Sequence, residues 1–533
     1  MQIISFEQAA NLIHDGDTIL IGGSGGGHAV PEALIVAVEK RFLESGSPRQ
    51  ITTLHPVGIG DMDTQGVGRL AHPGLLKRII TGALVNTPAI QKMAQEDAVE
   101  AYTLPQGSLS QLMREMASGR PGLISHVGLH TFVDPRHGGG KQSRSAQDDL
   151  VELVELAGQE WLFYKPIHVN VAFLRGTTAD EDGNISMERE AVFGEMLAMA
   201  QATRRAGGVV IVQVQRLAQR HTLHPKDVKI PGMLVDAVVV DPEQRQSYVI
   251  EYSPAFAGEL RVPLDEIPAL TFDPRKIIAR RAAMELFPGA ICNLGAGVST
   301  GIANVAAEEG FLDQIVLSNE QGLIGGAPAS GVDAGAAMNY DAIIDQPYQF
   351  DFYDGGGLDL AFLSFAQVDA EGSVNISRFG GRIIGIGGFQ NIAQNAKTMI
   401  FSGTFTAGRL DIGWEDGQTV IRQEGRFPKF VSELEQVSYN GAYAASLGQN
   451  VLFVTERAVF ARRPEGLTLV EIAPGIDVER DVLAHMGFTP LIAPDLKVMD
   501  TRLFSSDPMD YAPDLLSKPR VNLPQRMRDL SLP

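Results

Sequence analysis

A single cysteine, Cys292, in 533 residues excludes a disulfide framework and any cysteine-based metal cluster. The 11 histidines are scattered and show neither His-Glu-x-x-His nor another ligand spacing, so no metal site is assigned. Long hydrophobic runs are also missing. Stretches such as Gly208-Val209-Val210-Ile211-Val212 are strand-length, far below the ~20 residues that cross a bilayer, and no membrane span is expected. Positive charge is scarce: 44 Lys and Arg against 64 Asp and Glu give a net −20 with no basic stripe, which argues against nucleic acid as a partner. The first residues, Met1 to Glu7, lack a positive region followed by an apolar one, so a cytoplasmic protein is expected.

What is present is the composition of a chain that buries large cores, 44% hydrophobic and 20% charged. Glycine is in excess: 57 residues are about 11% of the chain, against a usual ~7%. The order of segments locates part of that excess. Ser5-Phe6-Glu7-Gln8 has the capping-box pattern and opens a helix. Thr18 to Ile21 reads as a buried strand, residues 22–27 as a glycine loop, and a second helix follows from Pro31 to about Phe42. The same order recurs: a helix from Asp273-Pro274, the strand around Cys292, the loop Gly295-Ala296-Gly297-Val298-Ser299-Thr300-Gly301, then a helix from Ile302. Ala179 to Ser186 and Val368 to Ser377 form a second echo, with two residues inserted in the later copy.

The expected fold is therefore α/β, with two related halves, each an open, mainly parallel sheet flanked by helices. The first half is placed at residues 1–260 and the second at 271–505, the half that the resemblance below makes the catalytic one. Between them, residues 252–274 carry four prolines and read as a connector. Residues 506–533 read as an irregular tail, and residues 134–147 as a mobile surface loop.

Strand-to-helix glycine loops cradle phosphates, because backbone N–H groups converge there with no side chain in the way. Neither loop completes the dinucleotide pattern, since His28 and Thr300 stand where its last glycine belongs, and Gly140-Lys141-Gln142 fails the nucleotide-loop pattern. NAD and ATP are not expected. Ser24 fits Gly-x-Ser-x-Gly, a match that a glycine-rich turn produces by chance. Cys292 reads as a small core residue, His28 as a capping or packing residue, and His55 and His137 as surface loop residues. Asp180 and Asp369 read as turn residues bonding their own backbone.

The most informative stretch is Val316-Leu317-Ser318-Asn319-Glu320-Gln321-Gly322, with the glycine-rich turn that follows it. An apolar strand ends in a polar tip carrying Glu320, and active crevices of open α/β sheets lie at such carboxyl ends. A carboxylate there can act as a nucleophile beside backbone donors; it can equally cap a helix or pair with an arginine, and the residues alone leave both open.

Many separate segments in one order carry a resemblance. They include Leu104-Pro105-Gln106-Gly107, Thr131-Phe132-Val133-Asp134-Pro135, Ile230-Pro231-Gly232-Met233, the Glu320 stretch, Gly385-Ile386-Gly387-Gly388-Phe389 and Thr455-Glu456-Arg457. Over nearly the whole chain the sequence resembles the class I (family I) coenzyme A transferases, in the form where two subunits are fused, with the acetate/propionate type the most similar. The resemblance implies exchange of CoA between a short-chain acyl-CoA and a free carboxylate, by a ping-pong route through an acyl-glutamyl anhydride and a glutamyl-CoA thioester. Glu320 matches the nucleophile, and Gln106, Gly325, Gly326 and Ala327 the substrate and oxyanion contacts. Gly295, Ala296, Gly297, Gly387 and Gly388 match the CoA side. No permanently bound cofactor is implied, CoA being substrate and covalent intermediate, and the assembly implied is a homo-oligomer, a tetramer. Asn319, Gln321 and Ser330 depart from the family's usual residues. An acyl-CoA hydrolase on the same scaffold, and a non-catalytic metabolite-sensing module, are the alternatives.

Overall fold

The computed structural model describes residues 1–263, 267–415, 417–524 and 527. Its first sheet uses β1 (Gln2–Ile3), β2 (Thr18–Ile21), β3 (Ile51–His55), β4 (Leu76–Thr81), β5 (Glu100–Thr103), β6 (Val171–Arg175), β7 (Val209–Val214) and β8 (Ala237–Val240). They lie in the order β1-β8-β7-β6-β2-β3-β4-β5, every neighbouring pair parallel. Helices α1 (Phe6–Asn11), α2 (Glu32–Ser45), α3 (Pro88–Gln95), α4 (Gln106–Ala117) and α5 (Met196–Arg205) accompany the sheet. Apolar side chains all along β6 are buried, as expected of a parallel strand covered on both faces. At α1, the Ser5 hydroxyl accepts from Gln8 N while the Gln8 side chain accepts from Ser5 N, the reciprocal cap its sequence predicts.

The second half repeats the opening. Helix α6 (Pro274–Ala283) precedes β9 (Ile291–Leu294), and α7 (Gly301–Glu308) follows the glycine loop. Next come β10 (Val316–Ser318), β11 (Leu323–Ile324), β12 (Ala342–Ile343), α8 (Gln346–Asp354), β13 (Leu360–Ser364), α9 (Phe389–Asn395) and β14 (Thr398–Ser402). A two-stranded ribbon, β15 (Thr406–Ala407) with β16 (Phe427–Pro428), leads to β17 (Asn450–Val454), β18 (Ala458–Arg463), β19 (Gly466–Ile472) and β20 (Leu491–Val498). The sheet order is β12-β11-β10-β9-β13-β14-β17-β18-β19-β20. In both sheets the order reverses beside the strand that feeds the glycine loop, at β2/β6 and at β9/β13, the place where such sheets open a crevice.

Three sequence expectations are corrected. His55 is buried, not a surface loop residue: it ends a central strand, and its Nδ1 lies 2.6 Å from Val57 O. Residues 134–147 are anchored. Asp134 is fully buried and accepts from His130 N and Arg136 N, while the Gln142 amide donates to Thr103 Oγ1. The tail is not wholly irregular either. A helix over Ala512–Ser517 packs beside α6 and α7, because the Glu309 carboxylate accepts from Met509 N and Tyr511 N. Its last residues, from 528 on, lie outside the described ones. The Asp180 and Asp369 carboxylates each accept two backbone N–H groups of their own turns, as expected. No helix among the described residues is long and apolar enough to cross a membrane.

Candidate active site

The two sheets meet carboxyl edge to carboxyl edge, and the seam is made largely of backbone. Gly82 O, just past β4, accepts from Ile386 N and Gly387 N, both at 2.7 Å. Leu84 N and Val85 N donate to Ile384 O, and Gln106 N donates to Gly387 O at 2.9 Å. Gly82 has no side chain because none fits: a Cβ there would stand 2.4 Å from Pro56 O.

Glu320 follows β10 at this seam. A Cβ added to Gly388 would lie 2.0 Å from Glu320 Oε2, so the missing side chain of Gly388 is the space that the carboxylate occupies. Among the described residues its one side-chain partner is weak, the Gln321 amide at 3.4 Å from Oε1. Crowding against the Gly388 turn and Phe350 strips water from the carboxylate, and this burial pushes its pKa up to about 7. Among the described residues no arginine pairs with it and it caps no helix, so neither of the structural readings left open by the sequence applies.

Beneath it, Tyr353 of α8 donates to Ser318 Oγ at 3.0 Å and accepts from Asn293 Nδ2 at 3.2 Å, fixing β9, β10 and α8 together. Gln106, the first residue of α4, reaches in from the other half. It is 1% exposed, its Nε2 has no hydrogen-bond partner, and its Oε1 lies 3.8 Å from the Cβ position of Gly387. A buried amide donor left free costs roughly 1–3 kcal/mol, which an oxyanion or carboxylate in the cleft would offset.

Of the remaining sequence-assigned residues, Gly387 N–H is committed to Gly82 O, whereas Gly388 N–H has no acceptor among the described residues. Ala296 and Gly297 are exposed at the carboxyl end of β9, where the Ser364 hydroxyl donates to Ala296 O. Gly295 packs against Leu363 and donates to Phe362 O. The turn at Gly325, Gly326 and Ala327 departs from its expected role. Gly325 N–H is spent on Leu317 O, Gly326 abuts Met338 O, and Ala327 pairs with Met338, so this turn braces β10 instead of offering a free donor at Gly325.

Sequence reading missed the roof. Asn86 Nδ2 reaches Gly25 O, Gly58 O and Gly60 O at 3.3–3.4 Å, tying together the loops after β2 and β3. Ser24 is buried with its hydroxyl unpartnered, close to the Gly335 turn that also abuts the Gln321 side chain. No histidine bonds Ser24 Oγ, so the serine-hydrolase pattern stays a coincidence. The contacts of Asn86 and Ser24 join residues 26 to more than 300 positions apart, a separation that local patterns do not encode.

A half-buried carboxylate at a strand tip, with the unpartnered Gln106 amide of the other half across the seam and the free Gly388 N–H beside it, makes this the candidate catalytic site. Comparison with known proteins gives the family. A family model described as coenzyme A transferase matches residues 3–241. The caffeate CoA-transferase of Acetobacterium woodii is 45% identical over 512 residues, 95% of this chain and 97% of that protein. The acetate CoA-transferase YdiF of Escherichia coli K12 is 42% identical over 510 residues, covering 96% of each chain. A solved thioester complex of the E. coli O157:H7 acyl-CoA transferase YdiF with CoA superimposes with a TM-score of 0.91, over 96% of this chain and 97% of that one. The chain belongs to the coenzyme A transferase family, and it is a CoA-transferase with CoA as substrate.

The raised pKa carries a prediction with a definite sign. Glu320 holds its proton to about pH 7 when folded, against an ordinary 4.5. Between those values the native state binds more protons than the unfolded one, so its contribution to stability is complete below about 4.5 and lost as pH rises through about 7. Glu320→Gln should therefore melt above the wild type at pH 8, with the gap closing on acidification. The exchange rate of the wild type should fall below pH about 7, where the Glu320 carboxylate takes up its proton. Melting curves and kcat/KM profiles across pH 4.5–8 check both.

Proposed function

We propose that the protein moves CoA between a short-chain acyl-CoA and a free carboxylate by covalent catalysis on Glu320. The observation that carries this reading is the Glu320 carboxylate seated in the space of the missing Gly388 side chain, across the seam from the unpartnered Gln106 amide. In the first step the carboxylate attacks the thioester carbonyl, the C–S bond breaks, and an acyl-glutamyl anhydride and CoA thiolate form. The thiolate then attacks the glutamyl carbonyl, the donor's carboxylate leaves, and glutamyl-CoA remains. An acceptor carboxylate reverses both steps and restores Glu320. Every bond broken is replaced by one of similar energy, so no proton or ATP enters the balance.

Gln106 Nε2 and Gly388 N–H are the donors this reading assigns to the developing oxyanion. Ala296 and Gly297 line the CoA side, with Gly295, Gly387 and Gly388 shaping the turns that let it approach. The relatives' names point to small carboxylates, caffeate in one and acetate in the other, as the acceptor class. Residues 1–260 and 271–505 acting as two units, a homo-oligomeric assembly and a cytoplasmic location belong to the same reading.

Incubation with acetyl-CoA followed by borohydride or hydroxylamine, with mass spectrometry of the peptides, tests it. The adduct is expected on Glu320, and a trapped adduct elsewhere, or none, overturns the covalent route. Turnover without an added carboxylate would point instead to a hydrolase. Gln106→Leu should lower kcat about 10²- to 10³-fold, the cost of one lost oxyanion donor, while the melting temperature holds.

A further inference from the structure

The halves also meet where α4 of the first packs on α8 and α9 of the second. The amino end of α4 carries Gln106, and the first N–H groups of a helix have no partner within it. Here the first two find acceptors in the other half. Gln106 N donates to Gly387 O at 2.9 Å, and Gly107 N donates to Asn391 Oδ1 at 3.0 Å. Gly387 lies just before α9 and Asn391 in its first turn, three residues after Gly388. The approach is tight enough to demand glycine at 107, where a Cβ would stand 2.4 Å from Phe350 Cδ1 and 2.5 Å from Asn391 Nδ2.

Behind Asn391 stands Asp354, the last residue of α8. Its carboxylate accepts from Asn391 Nδ2, at 3.0 Å to Oδ1 and 3.2 Å to Oδ2, and from Gln111 Nε2 of α4 at 2.9 Å. Each amide is locked in orientation by a second partner. Asn391 cannot turn over, because its Nδ2 would then face the Gly107 N–H. Gln111 cannot, because its Nε2 also donates to Asp351 Oδ1 at 3.1 Å. Position 354 must therefore accept from both sides, and at that length only a carboxylate offers two oxygens and no donor. Among the described residues no cation pairs with Asp354, Arg114 being bound to both oxygens of Asp351. Removal from water pushes the Asp354 pKa up to about 7, so an acid is kept here against its own solvation.

We propose that Asp354 is a positioning residue for the exchange reaction: through Asn391 and Gly107 it sets the amino end of α4, and with it the reach of the Gln106 amide toward the acyl group on Glu320. This rests on the transferase reading above and extends it to a residue that acts without touching the acyl group. A reacting geometry about 1 Å out of place loses about 10²-fold in rate, so a mismatched hydrogen bond one residue from Gln106 shows in kcat.

The test measures exchange between acetyl-CoA and propionate at pH 8, where Glu320 and Asp354 are both ionised. Asp354→Asn sets an amide donor against one of the two fixed donors. Its kcat is expected to fall about 10- to 100-fold, with the KM for acetyl-CoA within about twofold of wild type. In a Gln106→Leu background the same substitution should add nothing, since its effect passes through the amide already removed. In the swap Asp354→Asn/Asn391→Asp the donor and acceptor trade places. The carboxylate at 391 accepts from Gly107 N and from the amide at 354, whose oxygen accepts from Gln111. Its kcat should return to within about threefold of wild type, and it reports even where Asp354→Asn alone fails to fold. An equal loss on both backgrounds, or a folded swap variant as slow as Asp354→Asn, overturns the positioning role and leaves the transferase reading intact. A wild type that exchanges CoA with no adduct on Glu320 overturns the covalent reading, whatever the Asp354 variants return.

Discussion

Glu320→Ala is expected to reduce exchange about 10⁵-fold or more, and Glu320→Asp roughly 10³-fold, without a matching loss of folded protein. On the proposed route, alanine removes the group that forms both covalent intermediates. The aspartate variant is the sharper measurement. It keeps the charge but draws the carboxylate back by one methylene, away from the Gly388 space that Oε2 fills. Attack distances near 3 Å tolerate little displacement, so most of the rate goes although the chemistry of the group is unchanged. Single-turnover assays with acetyl-CoA read this directly, and a Glu320→Asp variant within tenfold of wild type would refute the tight seating described here.

The second large effect is expected at Gly388→Ala. The residue has φ −81° and ψ 0°, a conformation open to alanine, so backbone strain is not the cause of any loss. The new methyl group would stand 2.0 Å from Glu320 Oε2 and 3.2 Å from Phe350 Cζ. The end of a glutamate side chain can swing away, so the melting temperature should hold to within ~2 °C. On the proposed route the carboxylate has then left its attacking position, and kcat should fall about 10²-fold or more. Stopped-flow kinetics beside a thermal melt separate the two, and a melt that collapses in step with the rate would assign Gly388 to folding alone.

Much of the fold was legible because it is local. The capping box at Ser5, the strand and glycine loop at Thr18 to Gly27 and their echo around Cys292 each follow from a few adjacent residues. Glu320 was legible as a polar tip on an apolar strand. Its partners were less so: Gly388, Phe350 and Gln106 approach it from 30 to more than 200 positions away, and periodicity carries no trace of such meetings. His55 misled for a related reason. Its Pro and Gly neighbours signal a loop, yet His55 is the buried end of a central strand, its ring against Val57 O and the Thr81 hydroxyl. Gly325 misled because a glycine-rich turn announces free backbone donors, while only the tertiary contact to Leu317 shows that this one is occupied.

The seam at Gly82, Ile386 and Gly387 is written in main chain, and a hydrogen bond between peptide groups is blind to the side chains they carry. The register that aligns the nucleophile with the opposite half is thereby uncoupled from the side chains that shape the pocket. On the proposed function, substitutions in the roof at Ser24 or Asn86, neither of which bonds Glu320, are the ones expected to retune which acid is accepted. A site built in this way can change its diet and keep its chemistry.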